Sequence, residues 1–156
     1  MGDIASQVSE VLYNDDGTVA GVRSGEGDAA EVALAPLIIG EPSYFPAAKK
    51  VSKGRIIRSI CILDHPVAGI AVPDSAMIII PASQCGRRND IYVTIVGAAH
   101  QVSAKGRFIA IVSTIAETAK PSDEVAVGME MLGKKITRFD NITESFVPTD
   151  DGTKTR

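Results

Sequence analysis

The stretch Arg55-Ile56-Ile57-Arg58-Ser59-Ile60-Cys61-Ile62-Leu63 constrains the fold more than any other part of the chain. Successive side chains of an extended segment point to opposite faces, so Ile57, Cys61 and Leu63 share one face and Ile56, Ile60 and Ile62 the other. With both faces largely apolar, the segment reads as an interior strand. Ala76 to Ile80, Ile91 to Val96 and Phe108 to Ser113 repeat the pattern, the last two separated by the polar stretch from His100 to Gly106. Sequential strands joined by short loops favour antiparallel neighbours.

Other elements flank this block. Val8 to Tyr13 and Thr18 to Arg23 read as strands joined by Asn14-Asp15-Asp16-Gly17, in which Asp-Gly offers the positive φ angles that a tight hairpin needs. Glu31 to Ile39 reads as a further strand, with Pro36 at an edge, a bulge or the strand's start because it cannot donate to a ladder. One amphipathic helix is marked by Ser122 as its cap, by Asp123 and Glu124 in the first turn, by Val125, Met129 and Leu132 on one face, and by Gly133 beyond its end. Thr137 to Val147 reads as a last extended segment, and Asp150 to Arg156 as a loose polar tail. The expected fold class is α+β, a mostly antiparallel sheet with one packed helix and an N-terminal hairpin. Residues 1–45 form a hairpin and strand layer, and 54–148 the sheet with its helix, within one domain fragment.

Composition narrows the functional classes. The 156 residues are 45% hydrophobic, enough for one globular domain with a sizeable core. Sixteen basic and 19 acidic residues, net −3, create no strong field to draw nucleic acid or an anionic membrane. The basic clusters Lys49 to Arg55 and Arg87-Arg88 read as solvated surface. No apolar run reaches the roughly 18 residues that span a bilayer, and the first residues lack the regions of a secretory signal, so a soluble, cytoplasmic protein is expected. Met1-Gly2-Asp3-Ile4-Ala5-Ser6 matches a myristoylation pattern but reads as an artificial start, and Asn141-Ile142-Thr143 matches a glycosylation acceptor that means nothing without secretion. Cys61 and Cys85 read as free thiols.

The chemical candidates are few. Cys85 in Ala82-Ser83-Gln84-Cys85-Gly86-Arg87-Arg88 faintly echoes a caspase nucleophile whose thiol two arginines would activate. Its nearest preceding histidine, His65, lies only 20 residues upstream, so the stretch reads as a turn and Cys85 as a structural thiol. Cys61, alternating with Ile and Leu, is a core residue. Gly25-Glu26-Gly27-Asp28-Ala29-Ala30 fits the loose dinucleotide fingerprint, but the fingerprint must open a helix and here a strand follows, so it reads as a glycine turn. His65 and His100 read as hydrogen-bonded loop residues, and two isolated histidines with two isolated cysteines make no metal site. No catalytic, cofactor or metal-binding residue is assigned, and no enzyme activity is expected.

Several blocks carry a resemblance. Glu41-Pro42-Ser43-Tyr44, Ile60-Cys61-Ile62-Leu63-Asp64-His65-Pro66, Ile78-Ile79-Ile80-Pro81, Asp90-Ile91-Tyr92-Val93, Ala99-His100 and Gly106 to Thr114, continuing through Glu117-Thr118, resemble the Rab GDP dissociation inhibitors in order and spacing. The likeness is strong from about Leu37 to Val147 and looser before. Asp64 stands where the family usually shows serine. The related Rab escort proteins share the fold, but the Ile-Ile-Ile-Pro and Asp-Ile-Tyr-Val blocks are closer to the inhibitors.

The resemblance implies a flavoprotein-like fold that uses no flavin, and a function of binding rather than chemistry. Family members bind prenylated, GDP-bound Rab GTPases, extract them from membranes, keep them soluble and slow nucleotide release. The likeness covers roughly the C-terminal-middle third of a family member; the main Rab-binding platform and the prenyl-sheltering helical domain would lie upstream of Met1, and no family binding residue carries over. The chain is therefore expected to be scaffold for the Rab-binding domain, with a flavin-dependent oxidoreductase fragment or a Rab escort protein fragment as alternatives. If any surface here touches a partner, Arg87, Arg88 and Asn89 are the residues to test, because arginine forks pair with acidic groups. The face of Ile56, Ile60 and Ile62 would favour self-association if left exposed.

Overall fold

The computed structural model describes residues 8–25, 27–70 and 75–150. The start Met1 to Ser6 and the tail 151–156 lie outside them, as does Glu26. The chain divides into two compact units, one of residues 1–52 with 146–156 and one of residues 53–145.

The first unit holds a three-stranded antiparallel sheet, β1 (Val8–Tyr13), β2 (Val19–Ser24) and β3 (Glu31–Leu34), in that order. The β1–β2 turn differs from the primed turn that Asp-Gly led one to expect. Gly17 N–H donates to Asn14 O at 2.9 Å, and Gly17 alone in the turn has a positive φ, +80°. This is the geometry of a longer hairpin loop closed by a left-handed glycine. Asp16 Oδ1 accepts from the Thr18 N–H at 2.9 Å and from its hydroxyl at 2.6 Å. β3 ends at Leu34, earlier than the expected Ile39: Ala35 N–H still donates to Ala20 O at 3.0 Å, but Pro36 has no N–H with which to continue.

Most of the second unit is a five-stranded sheet in the order β5 (Ser75–Ile80), β6 (Ile91–Val96), β7 (Phe108–Ile115), β4 (Lys50–Leu63), β8 (Thr137–Pro148). The β5–β6, β6–β7 and β4–β7 pairs are antiparallel. β4 lies between β7 and β8, which is the interior position its two apolar faces required. It begins at Lys50, earlier than the expected Arg55, because backbone pairing runs on through the polar Lys50 to Gly54 stretch.

One sheet face is closed. Ile57, Cys61 and Leu63 of β4, Ile91 and Val93 of β6, and Ala110 and Val112 of β7 pack with Val125, Met129 and Leu132, all buried. The single expected helix is in fact two short ones, α1 (Pro121–Glu124) and α2 (Ala126–Met131), broken at Val125. Ser122 is not the cap: Pro121 opens α1 and Lys120 takes the cap position without a side-chain bond. The apolar triad holds nonetheless, because Val125 sits at the break and still faces the core. A Cβ on Gly128 would lie 2.5 Å from Val112 Cγ1 and 3.1 Å from Val93 Cγ2, so a residue with no side chain is what lets α2 approach the sheet this closely. Ser59, also fully buried, donates to Asp140 Oδ1 at 2.6 Å, and Arg138 Nε reaches the same oxygen at 2.7 Å. The Ser59–Asp140 bond ties β8 to β4.

Candidate functional site

The β5–β6 connection carries the residues singled out in the sequence. After Pro81 the chain makes a 3-10 turn at Ala82–Gln84, and Arg87 N–H donates back to Ala82 O at 3.0 Å. Asp90 Oδ1 accepts from Ala82 N–H at 2.8 Å and closes the loop from its other end. Cys85 ends the 3-10 turn and packs, partly buried, against the core; it is a wall of the turn, as expected. Cys61 is fully buried, burial pushes its thiol up, and its Sγ sits 3.9 Å from Met129 Sδ. Such a thiol is inert.

Arg87, Arg88 and Asn89 are adjacent in sequence but occupy different settings. Arg87 turns inward, its side chain only 11% exposed. Its Nη2 donates to Glu124 Oε2 at 2.6 Å and to Ile115 O at 3.0 Å, and lies 3.5 Å from Glu117 Oε1. Burial alone would raise the Glu124 carboxyl, but the Thr118 hydroxyl, the Glu117 N–H, the Arg87 guanidinium and the Thr118 N–H outweigh it and hold the group at about 2. Glu117 in turn accepts at Oε1 from Arg88 N–H, Asn89 N–H and Asn89 Nδ2, at 2.9 to 3.0 Å. This network ties the loop to the segment between β7 and α1. Asn89 is committed by both backbone and side chain. The Arg88 guanidinium is the one charged group of the three that is left outward: among the described residues it has no carboxylate partner.

Arg88 opens onto the second face of the five-stranded sheet. There it lines a pocket of about 350 Å³ together with Arg58, Tyr92, Ser113, Ile56 and Ile115. Sequence reading missed Arg58 and Tyr92. The available signal was a lone arginine inside the apolar run of β4, in register with Ile56, Ile60 and Ile62.

The remaining candidates lie in loops and turns. His65 directs Nδ1 to Pro66 O at 2.9 Å and Nε2 to Lys134 O at 2.8 Å, and these two carbonyls raise its pKa above the usual 6.5. His100 ends a 3-10 turn at Ala98–His100. The glycine stretch gives a 3-10 turn at Gly27–Ala29 linking two strands, with no helix to follow, as the turn reading required. Among the described residues no group of three His, Cys, Asp or Glu side chains could hold a metal, and no helix is long and apolar enough to cross a membrane. The first unit contains a larger cleft of about 860 Å³ lined by Tyr44, Phe45 and Phe146 among others. Its Lys50 is already engaged, donating to Pro42 O at 2.6 Å and standing 5.1 Å from the Phe146 ring centre.

Comparison with known proteins gives this architecture a family. The GDP dissociation inhibitor model matches residues 3–156. The chain is 46% identical over 147 residues to the probable secretory pathway GDP dissociation inhibitor 1 of Schizosaccharomyces pombe, covering 94% of this chain and 32% of that protein. It is 47% identical over 148 residues to the Rab GDP-dissociation inhibitor of Saccharomyces cerevisiae, with the same coverage. A crystal structure of Rab GDI from Plasmodium falciparum superposes with a TM-score of 0.78 at 35% identity, covering 93% of this chain and 33% of that one. The chain belongs to the GDP dissociation inhibitor family and spans about a third of the length of the curated relatives it matches.

Proposed function

We propose that this chain is scaffold within a Rab GDP-dissociation inhibitor, and that the whole protein binds prenylated, GDP-bound Rab GTPases, slows GDP release and recycles them from membranes. The reading is carried by 46–47% identity, extending over 94% of the chain, to relatives named as GDP dissociation inhibitors. On this reading the protein is cytoplasmic, is no enzyme, and has a flavoprotein-like fold in which no flavin is used. The inward-turned Arg87 and the buried Cys61 accord with it: the groups that looked reactive in sequence serve the fold.

The scaffold role assigned to these residues is mechanical. The sheet, clamped by the Arg87–Glu124 and Ser59–Asp140 bonds, holds its ends at fixed positions for whatever part of the protein grips Rab. The test is release of a fluorescent GDP analogue from prenylated Rab with and without the full-length protein. Slowed release is expected, and release at the unassisted rate with saturating protein contradicts the proposal. Flavin absorbance in the purified full-length protein would turn the reading toward an oxidoreductase.

A further inference from the structure

We propose that the second face of the five-stranded sheet, centred on Arg58, Arg88 and Tyr92, is a docking surface for a protein segment that carries carboxylates between apolar side chains.

Strand register builds the surface. Ile79, Tyr92, Ser113 and Arg58 are successive cross-strand partners on β5, β6, β7 and β4, so they form one row across the sheet. Neighbouring strands stand about 4.8 Å apart, which puts Tyr92 and Arg58 about 10 Å from each other across β7. Ile56 and Ile115 pair in the next row of the same face, and Arg88 reaches it from the loop before β6. Apolar groups here are left to solvent: Ile79 is 53% exposed, Ile115 45% and Tyr92 42%.

Charge decides what fits. Arg23, Arg87, Arg107 and Arg138 each have a carboxylate partner within the chain. Arg58 and Arg88 have none among the described residues; Arg58 donates instead to the neutral Thr143 Oγ1 at 3.2 Å. The one carboxylate lining the pocket, Asp90, has Oδ1 occupied by the Ala82 N–H. Two guanidinium forks without acidic partners, set among exposed apolar side chains, match an occupant with both carboxylates and apolar groups.

Other occupants fit less well. A free phosphate would leave Ile79 and Ile115 uncovered. An anionic membrane would meet a chain of net charge −3. A second copy joined face to face about a two-fold axis would bring two copies of the same basic face together.

The test is fluorescence anisotropy of full-length protein with a labelled peptide of sequence Glu-Leu-Glu-Glu-Leu-Glu, beside the same peptide with glutamine for every glutamate. Binding of the acidic peptide is expected, weakened at least about tenfold by the glutamine peptide and by the double variant Arg58→Gln, Arg88→Gln. Raising salt from about 50 to 300 mM weakens it further. The glutamine peptide needs no change in the protein, so a variant that fails to fold does not remove the test. Equal affinity for the two peptides, or no binding of either, overturns the proposal. So does arginine-dependent binding to phosphatidylserine vesicles without peptide binding, or a sedimentation profile in which dimer formation excludes the peptide.

Discussion

The two faces of the five-stranded sheet are built from the same kinds of strand residue and end in opposite situations. One face carries Ile57, Cys61, Val93 and Val112, fully buried beneath Val125, Met129 and Leu132 in and beside α2. The other carries Met77, 66% exposed, with Ile79, Tyr92 and Ile115 also open. Their arginines divide in the same way. Arg87 is buried against Glu124 and serves the fold, whereas Arg58 and Arg88 stand on the open face without acidic partners among the described residues. Apolar and basic content alone therefore does not say what a β-rich segment is for; the state of its partners does.

If the closed face carries the stability, its polar clamp should give the largest effect. Glu124→Gln takes from the buried Arg87 its nearer counter-charge, Glu124 Oε2 at 2.6 Å, leaving Glu117 Oε1 at 3.5 Å, and is expected to cost about 3 kcal/mol in urea unfolding. Replacing both residues by apolar ones should cost much less than the sum of the two single changes.

The same clamp has a pH signature. Glu124 is held near 2 in the folded state against 4.5 for a free glutamate, so its contribution is fully present above 4.5 and is lost as pH falls through about 2. The shift corresponds to a stabilisation on the order of 3 kcal/mol. Urea midpoints measured from pH 6 down to pH 3 should fall, and much less so in the doubly apolar variant.

Gly128→Ala comes next. Its methyl would meet Val112 and Val93, which are stiff, β-branched and buried, and the overpacking should cost about 1–3 kcal/mol. Polar substitutions on the open face, such as Met77→Ser or Ile79→Thr, should by contrast stay within about 0.5 kcal/mol. A loss comparable to that of Gly128→Ala would erase the distinction between the faces.

The smallest effect belongs to His65. Its folded-state pKa lies above 6.5, so its contribution is complete below 6.5 and is lost as pH rises through the raised value. An NMR titration of the ring should place the midpoint above 6.5, and a lower midpoint would mean that the bonds to Pro66 O and Lys134 O do not hold the charged ring.

Much of the fold was legible in the chain. β4 declared its interior place because apolar residues alternate onto both faces, and the Asn14 to Gly17 turn declared its hairpin. The helix break was not legible, since Val125, Met129 and Leu132 satisfy a continuous helix and a broken one equally well. Ser122 misled for a related reason: Pro121 before it, with φ already set for a helix, opens the helix and moves the cap two residues earlier, to Lys120. At the candidate site, sequence pointed to the right loop but could not separate Arg87 from Arg88. Which one turns inward depends on Glu124, 37 residues away, and on Thr114 and Ile115 across the sheet. Arg58 and Tyr92 join Arg88 only through strand register, and no local pattern encodes that register.

The most direct measurement is a titration of prenylated, GDP-bound Rab against the full-length protein and against this chain, with the chain's folded state checked by circular dichroism. The account predicts tight binding by the full-length protein and none by the folded chain. Comparable binding by the chain alone would contradict the scaffold role and place a Rab contact within these 156 residues.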